Sequence, residues 1–392
     1  LRYFNEASFS SVKPANTFRI FAFGGSTTYG HPFNWKTSFP RWLQELLNSC
    51  HNGTKYEVIN LGGISYASYR ILPLMKQTLK YKPDLFVVYT GQNEFLERRS
   101  YSAFFEKNPH VLTLEAYLEK WRLYQVMKHL LKGSENQSAG KAADGGATTS
   151  GDPGKTILQD EASAILDRSS GLDLYHRDDE FAKGVALHFR HNLNALLDLS
   201  ESAGVPVIFV SPASNLRDFS PFKSEHDPRM TSREKAELDR KLDSVDKMIK
   251  SGNFQEALDQ LKPVFERLTD HANANFMMAK ALDGLGKHTE ARHYFSRARD
   301  LDICPLRATS PLESEFYSVI DSRNAPLVDF RKFVENRSLE SGIASGLAGD
   351  ESFLDHVHPT IELHQQIAVL IMNRMVETGL VKNCQNISTE NI

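Results

Sequence analysis

The amino-acid sequence predicts an α/β protein built on a parallel sheet with helices on both faces. Five short apolar runs resemble buried parallel strands, and they cover residues 18–23, 56–61, 84–89, 205–210 and 326–330. Helical patterns lie between the early runs. Such an alternation of strand and helix is typical of a doubly wound parallel sheet.

Four helices are predicted from periodic apolar positions and from end signals. They cover residues 38–48, 69–81, 181–202 and 361–377. The third ends in Ala-Gly just before the fourth strand. The last follows Pro359 and Thr360, which are residue types suited to a helix start.

Residues 133–155 interrupt the α/β pattern because they are rich in Gly, Ser, Ala, Thr and Asp and offer little to bury. This composition predicts a mobile loop. A helical segment at residues 231–302 interrupts the pattern a second time. The α/β domain is therefore expected in two parts, residues 1–230 and 303–392.

The helical segment contains a repeat with a period of 34 residues, seen in the pairs Gly252 and Gly286, Ala257 and Ala291, Leu261 and Phe295, and Val264 and Ala298. Helix pairs with this period resemble the tetratricopeptide repeat. Two repeats are fewer than the three that usually stand alone, so we expect them to lean on the main domain or on a partner. A plain helical insertion with chance similarity is the alternative.

Composition excludes some classes of protein. Of 392 residues, 41% are apolar and 24% charged, which suits a packed core, and the net charge of −3 gives no reason to expect nucleic acid as a partner. No run of about 18 apolar residues exists to span a bilayer. The cysteines Cys50, Cys304 and Cys384 are far apart without metal-ligand spacing, and we expect free thiols.

The first motif that carries chemistry is Phe-Gly-Gly-Ser-Thr-Thr-Tyr-Gly at residues 23–30, directly after the first predicted strand. Its glycines allow a sharp turn, and Ser26 then lies at the carboxyl end of a strand, where open α/β sheets bind ligands. A phosphate-binding loop is the alternative interpretation. The sequence here lacks both the Lys-Ser/Thr pair of a P-loop and a full G-x-G-x-x-G.

The second motif is Asp-His-Val-His-Pro at residues 355–359, just before the last helix. Asp355 and His358 are three residues apart, so one turn can bring their side chains together. A carboxylate that orients an imidazole in this way leaves its other nitrogen free to activate a serine. A metal site using His356 and His358 is an alternative, but it would need further ligands that no obvious cluster supplies.

Two further motifs follow the second and third strands. Asn93, in Thr-Gly-Gln-Asn-Glu-Phe at residues 90–95, offers an amide donor at the same sheet edge as Ser26, where it could hold an oxyanion. Small residues in 60–68 could leave a backbone N–H pointing into the cleft. Each also has an ordinary interpretation, as a turn after a strand.

Together and in this order, the four segments resemble the SGNH/GDSL hydrolase superfamily. The resemblance covers roughly residues 16–220 and 305–380 and implies a three-layer, flavodoxin-like fold with strand order 2-1-3-4-5. It implies ester hydrolysis without a metal or cofactor, with Ser26 as nucleophile, His358 as base and Asp355 orienting it. The oxyanion donors would be the backbone N–H groups of Ser26 and Ser65 and the side chain of Asn93.

The chain departs from this family pattern at two positions. Ser65 stands where the family usually has glycine, and Gly63 is the substitute if the alignment is shifted. Glu94 follows Asn93 where aspartate is common, a change expected to matter little. Near the fourth strand, Arg217 and Asp218 would either contact substrate or form a surface ion pair.

One subgroup of the family resembles the chain more closely, since it carries a tetratricopeptide insert before the last strand and often an N-terminal membrane helix. This implies an extracytoplasmic location, with a membrane tether upstream of Leu1. The expected activity is hydrolysis of a small acyl ester, most plausibly acetyl on carbohydrate. Two alternatives stay open: an O-acyltransferase with the same triad, and an interaction module whose repeats bind a protein partner.

Overall fold

A five-stranded parallel sheet forms the centre of the computed structural model, which describes residues 4–50, 53–96, 175–382 and 384. Its strands are β1 (Thr17–Gly24), β2 (Lys55–Gly62), β3 (Leu85–Tyr89), β4 (Val207–Val210) and β5 (Leu327–Val328). They are ordered β2-β1-β3-β4-β5, and every neighbouring pair is parallel. The predicted parallel sheet and strand order are confirmed. The fifth strand is shorter than predicted because a helix begins at Phe330.

The described helices are α1 (Ser26–Tyr29), α2 (Phe39–Ser49), α3 (Ser68–Thr78), α4 (Asp179–Ala203), α5 (Ser232–Lys250), α6 (Phe254–Phe265), α7 (Ala272–Gly284), α8 (His288–Asp300), α9 (Ser310–Ser322), α10 (Phe330–Glu340) and α11 (Ile361–Glu377). Three of the four predicted helices, residues 38–48, 181–202 and 361–377, begin and end within two residues of the predicted bounds. The helix predicted at residues 69–81 is divided into α3 and a 3₁₀ turn, Leu79–Tyr81. None of these helices is long and apolar enough to cross a membrane. The predicted loop at residues 133–155 lies outside the described residues.

Side chains alternate along β1, so that the sheet has two buried faces. Ile20 and Ala22 share one core with α2, α10 and α11. Phe21 and Phe23 belong to the opposite face, where the Phe23 ring lies 5.7 Å from that of Phe86. On that face α3 packs against α4, and α4 against α9. Two buried faces explain why the strands read as continuous apolar runs.

Helices α5 to α8, which we call the helical insert, occupy residues 232–300 between β4 and β5. The 34-residue repeat has a counterpart in this structure. Gly252 and Gly286 lie in the turns after α5 and α7, with φ angles of 78° and 75°. The matched apolar positions are buried on α6 and α8. Equivalent sequence positions therefore occupy equivalent structural positions in the two helix pairs.

A disulfide joins Cys50, which caps the end of α2, to Cys384, with their Cα atoms 5.3 Å apart. The expectation of free thiols was therefore wrong for these two cysteines, whereas Cys304 is free and buried. Their sequence separation of 334 concealed the pairing. The two cysteines meet because α11 packs beside α2, a contact between distant parts of the chain.

The α2–α11 contact also buries a histidine. The Nδ1 atom of His364 accepts a hydrogen bond from the Phe39 N–H at 3.3 Å, and the imidazole stacks on the Phe39 ring. Burial lowers the pKa of the His364 imidazole to about 3. The folded protein therefore holds this side chain neutral at pH values where an unfolded chain would protonate it.

We predict that His364 makes the protein less stable in acid. Its folded pKa lies below the unfolded value near 6.5, so its stabilising effect is full above pH 6.5 and declines as the pH falls toward 3. One such group costs about 2 kcal/mol of unfolding free energy between pH 7 and pH 5. Urea unfolding at pH 7 and at pH 5 measures this loss of unfolding free energy. In His364→Gln the loss between the two pH values should be smaller than in the wild type by about 2 kcal/mol.

The exposed His293 on α8 provides the control. His293→Gln should keep the wild-type pH dependence. An identical pH dependence in the wild type and His364→Gln would mean that the folded state accepts the proton at His364.

Candidate active site

Ser26 is the first residue of α1 and stands immediately beyond the carboxyl end of β1. Two glycines bring it there. A Cβ atom on Gly24 would lie 2.2 Å from the carbonyl oxygen of Tyr89, and one on Gly25 would lie 2.4 Å from the Asn93 amide nitrogen. The Tyr89 oxygen belongs to the backbone, so only glycine at position 24 permits this approach of β1 to the end of β3. A side chain at position 25 would displace the Asn93 amide.

The structure brings Asp355, His358 and Ser26 into one hydrogen-bonded line. His358 Nδ1 lies 2.6 Å from Asp355 Oδ2, and His358 Nε2 lies 2.7 Å from Ser26 Oγ. Asp355 Oδ1 also accepts the backbone N–H groups of Val357 and His358, both at 2.9 Å. The carboxylate is therefore fixed by three donors on its own loop.

Electrostatics favour an ionised Asp355. Burial alone would raise the pKa of this carboxyl. The hydrogen bond from His358 and the nearby imidazoles outweigh that effect and hold the pKa well below its usual value. An ionised Asp355 accepts a hydrogen bond from the His358 Nδ1–H group, which leaves Nε2 as the acceptor for the Ser26 hydroxyl. This arrangement can remove a proton from Ser26 during nucleophilic attack.

Two more histidines surround this line. The His31 ring lies 4.7 Å from the His358 ring, edge to face. His356 is buried beside Phe219 and Phe222, and burial lowers the pKa of its imidazole to about 3. Within the described ranges, no group of three or more His, Cys, Asp or Glu side chains is arranged to hold a metal ion.

Asn93 lies beside the serine turn. Its Nδ2 atom donates to the carbonyl oxygen of Tyr66 at 3.1 Å and approaches Gly25, the residue before Ser26. The two candidates for the second backbone donor differ. Gly63 N–H already donates to the Gly24 carbonyl at 3.0 Å. Ser65 has a φ of 61°, in the left-handed region that favours glycine. The left-handed backbone therefore occurs at Ser65, whereas the Gly63 N–H is engaged within the turn.

Glu94, the residue that stands where aspartate is common, is a buried part of the site. Its carboxylate is fully buried and accepts the backbone N–H of Ser68 at 3.0 Å and the Ser68 hydroxyl at 2.8 Å. Asn192 on α4 donates to the same hydroxyl at 2.9 Å. A carboxylate at the start of α3 is stabilised by the helix dipole. Through Ser68, Glu94 joins the segment after β3, which carries Asn93, to the turn before α3, which carries Ser65.

The loop after β4 contains the ion pair that was the alternative to substrate contact. Arg217 and Asp218 pair with each other at 2.8 Å and with neighbouring loops. The nearby Asn215 N–H donates to the carbonyl oxygen of His356 at 2.9 Å. This loop therefore supports the segment that carries Asp355 and His358.

Among solved structures, the chain is similar to several esterases and lipolytic proteins. An acetyl xylan esterase shares 12% identity, with 91% of this chain and 98% of that chain covered and a TM-score of 0.39. A lipase/acylhydrolase from Enterococcus faecalis shares 13% over 94% and 99%, with a TM-score of 0.40. A putative lipolytic protein of the G-D-S-L family from Desulfitobacterium hafniense shares 10% over 91% and 98%, with a TM-score of 0.37.

No model of a known protein family matches the chain, and no curated protein matches it. Sequence identity to these three solved structures is 10–13%, and the TM-scores are 0.37–0.40. The function proposed below therefore rests on the geometry of the site.

We predict that Glu94 is required for stability at this sheet edge. Glu94→Ala would leave the buried N–H and hydroxyl of Ser68 without this acceptor, which costs about 1–3 kcal/mol for each unsatisfied group. Urea denaturation should show the loss. Glu45→Ala on α2, whose side chain is half exposed, should change unfolding by less than about 0.5 kcal/mol. Equal stability of Glu94→Ala and the wild type would contradict this assignment.

Proposed function

We propose that the protein is a serine ester hydrolase of the SGNH type, with Ser26 as its nucleophile. The observation that carries this proposal is the hydrogen-bonded line from Asp355 through His358 to Ser26. It lies at the carboxyl edge of a parallel sheet with strand order 2-1-3-4-5, where open α/β sheets bind ligands. The same edge carries Asn93, whose amide faces the serine turn.

The reaction proceeds in two balanced halves. Ser26 Oγ attacks the acyl carbon while its proton passes to His358 Nε2, and the carbonyl oxygen becomes an oxyanion. The tetrahedral intermediate collapses, and His358 gives the proton to the departing alcohol. Water then attacks the acyl-serine, losing its proton to His358, and Ser26 recovers that proton as the carboxylic acid leaves.

Three N–H donors are assigned to the oxyanion: the backbone groups of Ser26 and Ser65 and the Asn93 amide. Asn93 Nδ2 carries two hydrogens, of which one donates to Tyr66, so the other is available to the oxyanion. A donor of this kind is worth about 3–4 kcal/mol in the transition state. The hydrogen bond to Tyr66 fixes the amide before substrate arrives.

The substrate we propose is a small acyl ester, acetyl on carbohydrate, in keeping with the family resemblance. We also propose that the helical insert is tetratricopeptide-like, which the equivalent positions of its two helix pairs support. An extracytoplasmic location is supported by the Cys50–Cys384 disulfide, because disulfides persist mainly in oxidising compartments.

We predict that a fluorophosphonate probe forms one covalent adduct, at Ser26. Intact mass spectrometry should show this adduct on the wild type and its complete loss in Ser26→Ala. Ser65→Ala is the matched control, since it removes a hydroxyl at the same edge but keeps the backbone N–H, and it should still be labelled. An adduct that persists in Ser26→Ala, or a folded wild type that is not labelled, would overturn the mechanism.

We predict hydrolysis of short acyl esters in preference to long ones. With p-nitrophenyl acetate and p-nitrophenyl octanoate, the acetate should show the higher kcat/KM. In water enriched in oxygen-18, the acetate released should carry one labelled oxygen. Transfer of acetyl to an added sugar in place of this labelled product would favour the acyltransferase.

A further inference from the structure

The segment that carries Asp355 and His358 depends on contacts from outside itself. Residues 347–358, which we call the Asp–His loop, contain no helix or strand. A second loop, residues 211–223 after β4, which we call the β4 loop, lies against it. Asn215 N–H donates to the His356 carbonyl at 2.9 Å, and the N–H groups of Leu216 and Arg217 both approach the Ala348 carbonyl at 3.2 Å.

Charged side chains extend this backbone contact. Asp218 Oδ2 accepts the backbone N–H of Asp350 at 3.2 Å and the Arg217 guanidinium at 2.8 Å. Arg217 in turn contacts the Glu351 carboxylate. A Cβ atom on Gly349 would lie 2.0 Å from Asp218 Oδ2. The Asp218 carboxylate is thus packed directly against the backbone of the Asp–His loop.

The other oxygen of Asp218 is held by the helical insert. Lys280 on α7 donates from Nζ to Asp218 Oδ1 at 2.9 Å, and both side chains are largely buried, with 30% and 19% exposed. Burial raises the pKa of Asp218, but hydrogen bonds from Arg217 and Lys280 lower it to about 2. Without Lys280, Asp218 would keep the Arg217 guanidinium and the Asp350 N–H as donors to Oδ2, but Oδ1 would lose its donor from the helical insert.

The segment that follows the helical insert contacts the β4 loop from another side. Arg307 is buried and donates to the carbonyl oxygens of Asn215 and Phe219, at 2.8 and 2.9 Å. Asp302 accepts the backbone N–H of Phe222 at 2.8 Å. Phe219 and Phe222 then pack on His356, inside the Asp–His loop. The β4 loop is therefore fixed at several points between the insert and the histidine segment.

We propose that Lys280 is a positioning residue for catalysis: through Asp218 it fixes the β4 loop and, with it, the Asp355–His358 pair. This inference rests on the proposed function and deepens it, because it makes the helical insert part of what aligns the triad. Lys280 itself touches none of the three triad side chains in the contacts described above. Its effect should therefore fall on the catalytic step and leave acyl-group binding unchanged.

The test compares Lys280→Met with Lys280→Arg in steady-state hydrolysis of p-nitrophenyl acetate and in the rate of fluorophosphonate labelling. Lys280→Met should lower kcat and the labelling rate together by about tenfold, with KM unchanged, which corresponds to about 1.4 kcal/mol in the transition state. Lys280→Arg keeps the charge and should recover most of the loss. Complete labelling at Ser26 should still be reached.

Lys241→Met is the matched control, because Lys241 lies on α5 of the same insert and pairs with the exposed Glu237. It should leave kcat unchanged. In an Asp218→Asn background, Lys280→Met should cause little further loss, since the two residues act through one contact. Urea unfolding of each variant gives the folded fraction under assay conditions.

The inference is overturned if Lys280→Met keeps a kcat within twofold of the wild type, if its loss merely follows the folded fraction, or if KM changes and kcat does not. Failure of the proposed function looks different. In that case the folded wild type would not be labelled at Ser26. A labelled wild type with an unaffected Lys280→Met would contradict only the role of Lys280.

Discussion

The position of Ser26 depends on how closely β1 approaches β3 at their carboxyl ends. Gly24 pairs with Tyr89 in the parallel ladder, and no Cβ atom would fit between Gly24 and the Tyr89 carbonyl. A side chain there would separate the two strand ends. The serine turn would then move away from Asn93, and the hydroxyl would no longer meet His358. A steric constraint on one residue thus determines which side chains converge.

Two carboxylates at the site are stabilised by the same physical means. Asp355 and Glu94 both accept backbone N–H groups and a side-chain donor, which compensates the loss of water. Their partners differ in kind. Asp355 acts on an imidazole that meets Ser26, whereas Glu94 acts on the start of a helix. One therefore bears on proton transfer, and the other on where the Asn93 and Ser65 donors stand.

The strands were predictable because strands buried on both faces need continuous apolar residues, and parallel strands need helical crossovers. Their order was implied only by the family resemblance. The proximity of Asp355 and His358 follows from their spacing, and that of Ser26 from the carboxyl edge of the sheet. The role of Glu94 was not readable, since its partner Ser68 lies 26 residues earlier. The same holds for Cys50 and Cys384, which meet only when α2 and α11 pack. Such contacts depend on tertiary packing, which no local pattern records.

The place of the helical insert in the chain explains why it bears on the site. A segment inserted after β4 begins at the carboxyl end of that strand, and in a parallel sheet this is the edge that also receives Ser26 and Asn93. The chain must leave this edge through the β4 loop and return past Asp302 and Arg307 before β5. The outgoing segment therefore lies against the Asp–His loop, and the returning segment holds the outgoing one in place. An insertion at the opposite edge would have no comparable route to the triad. The ion pair between Lys280 and Asp218 uses this proximity, so that α7 and the segment carrying His358 are held by one carboxylate.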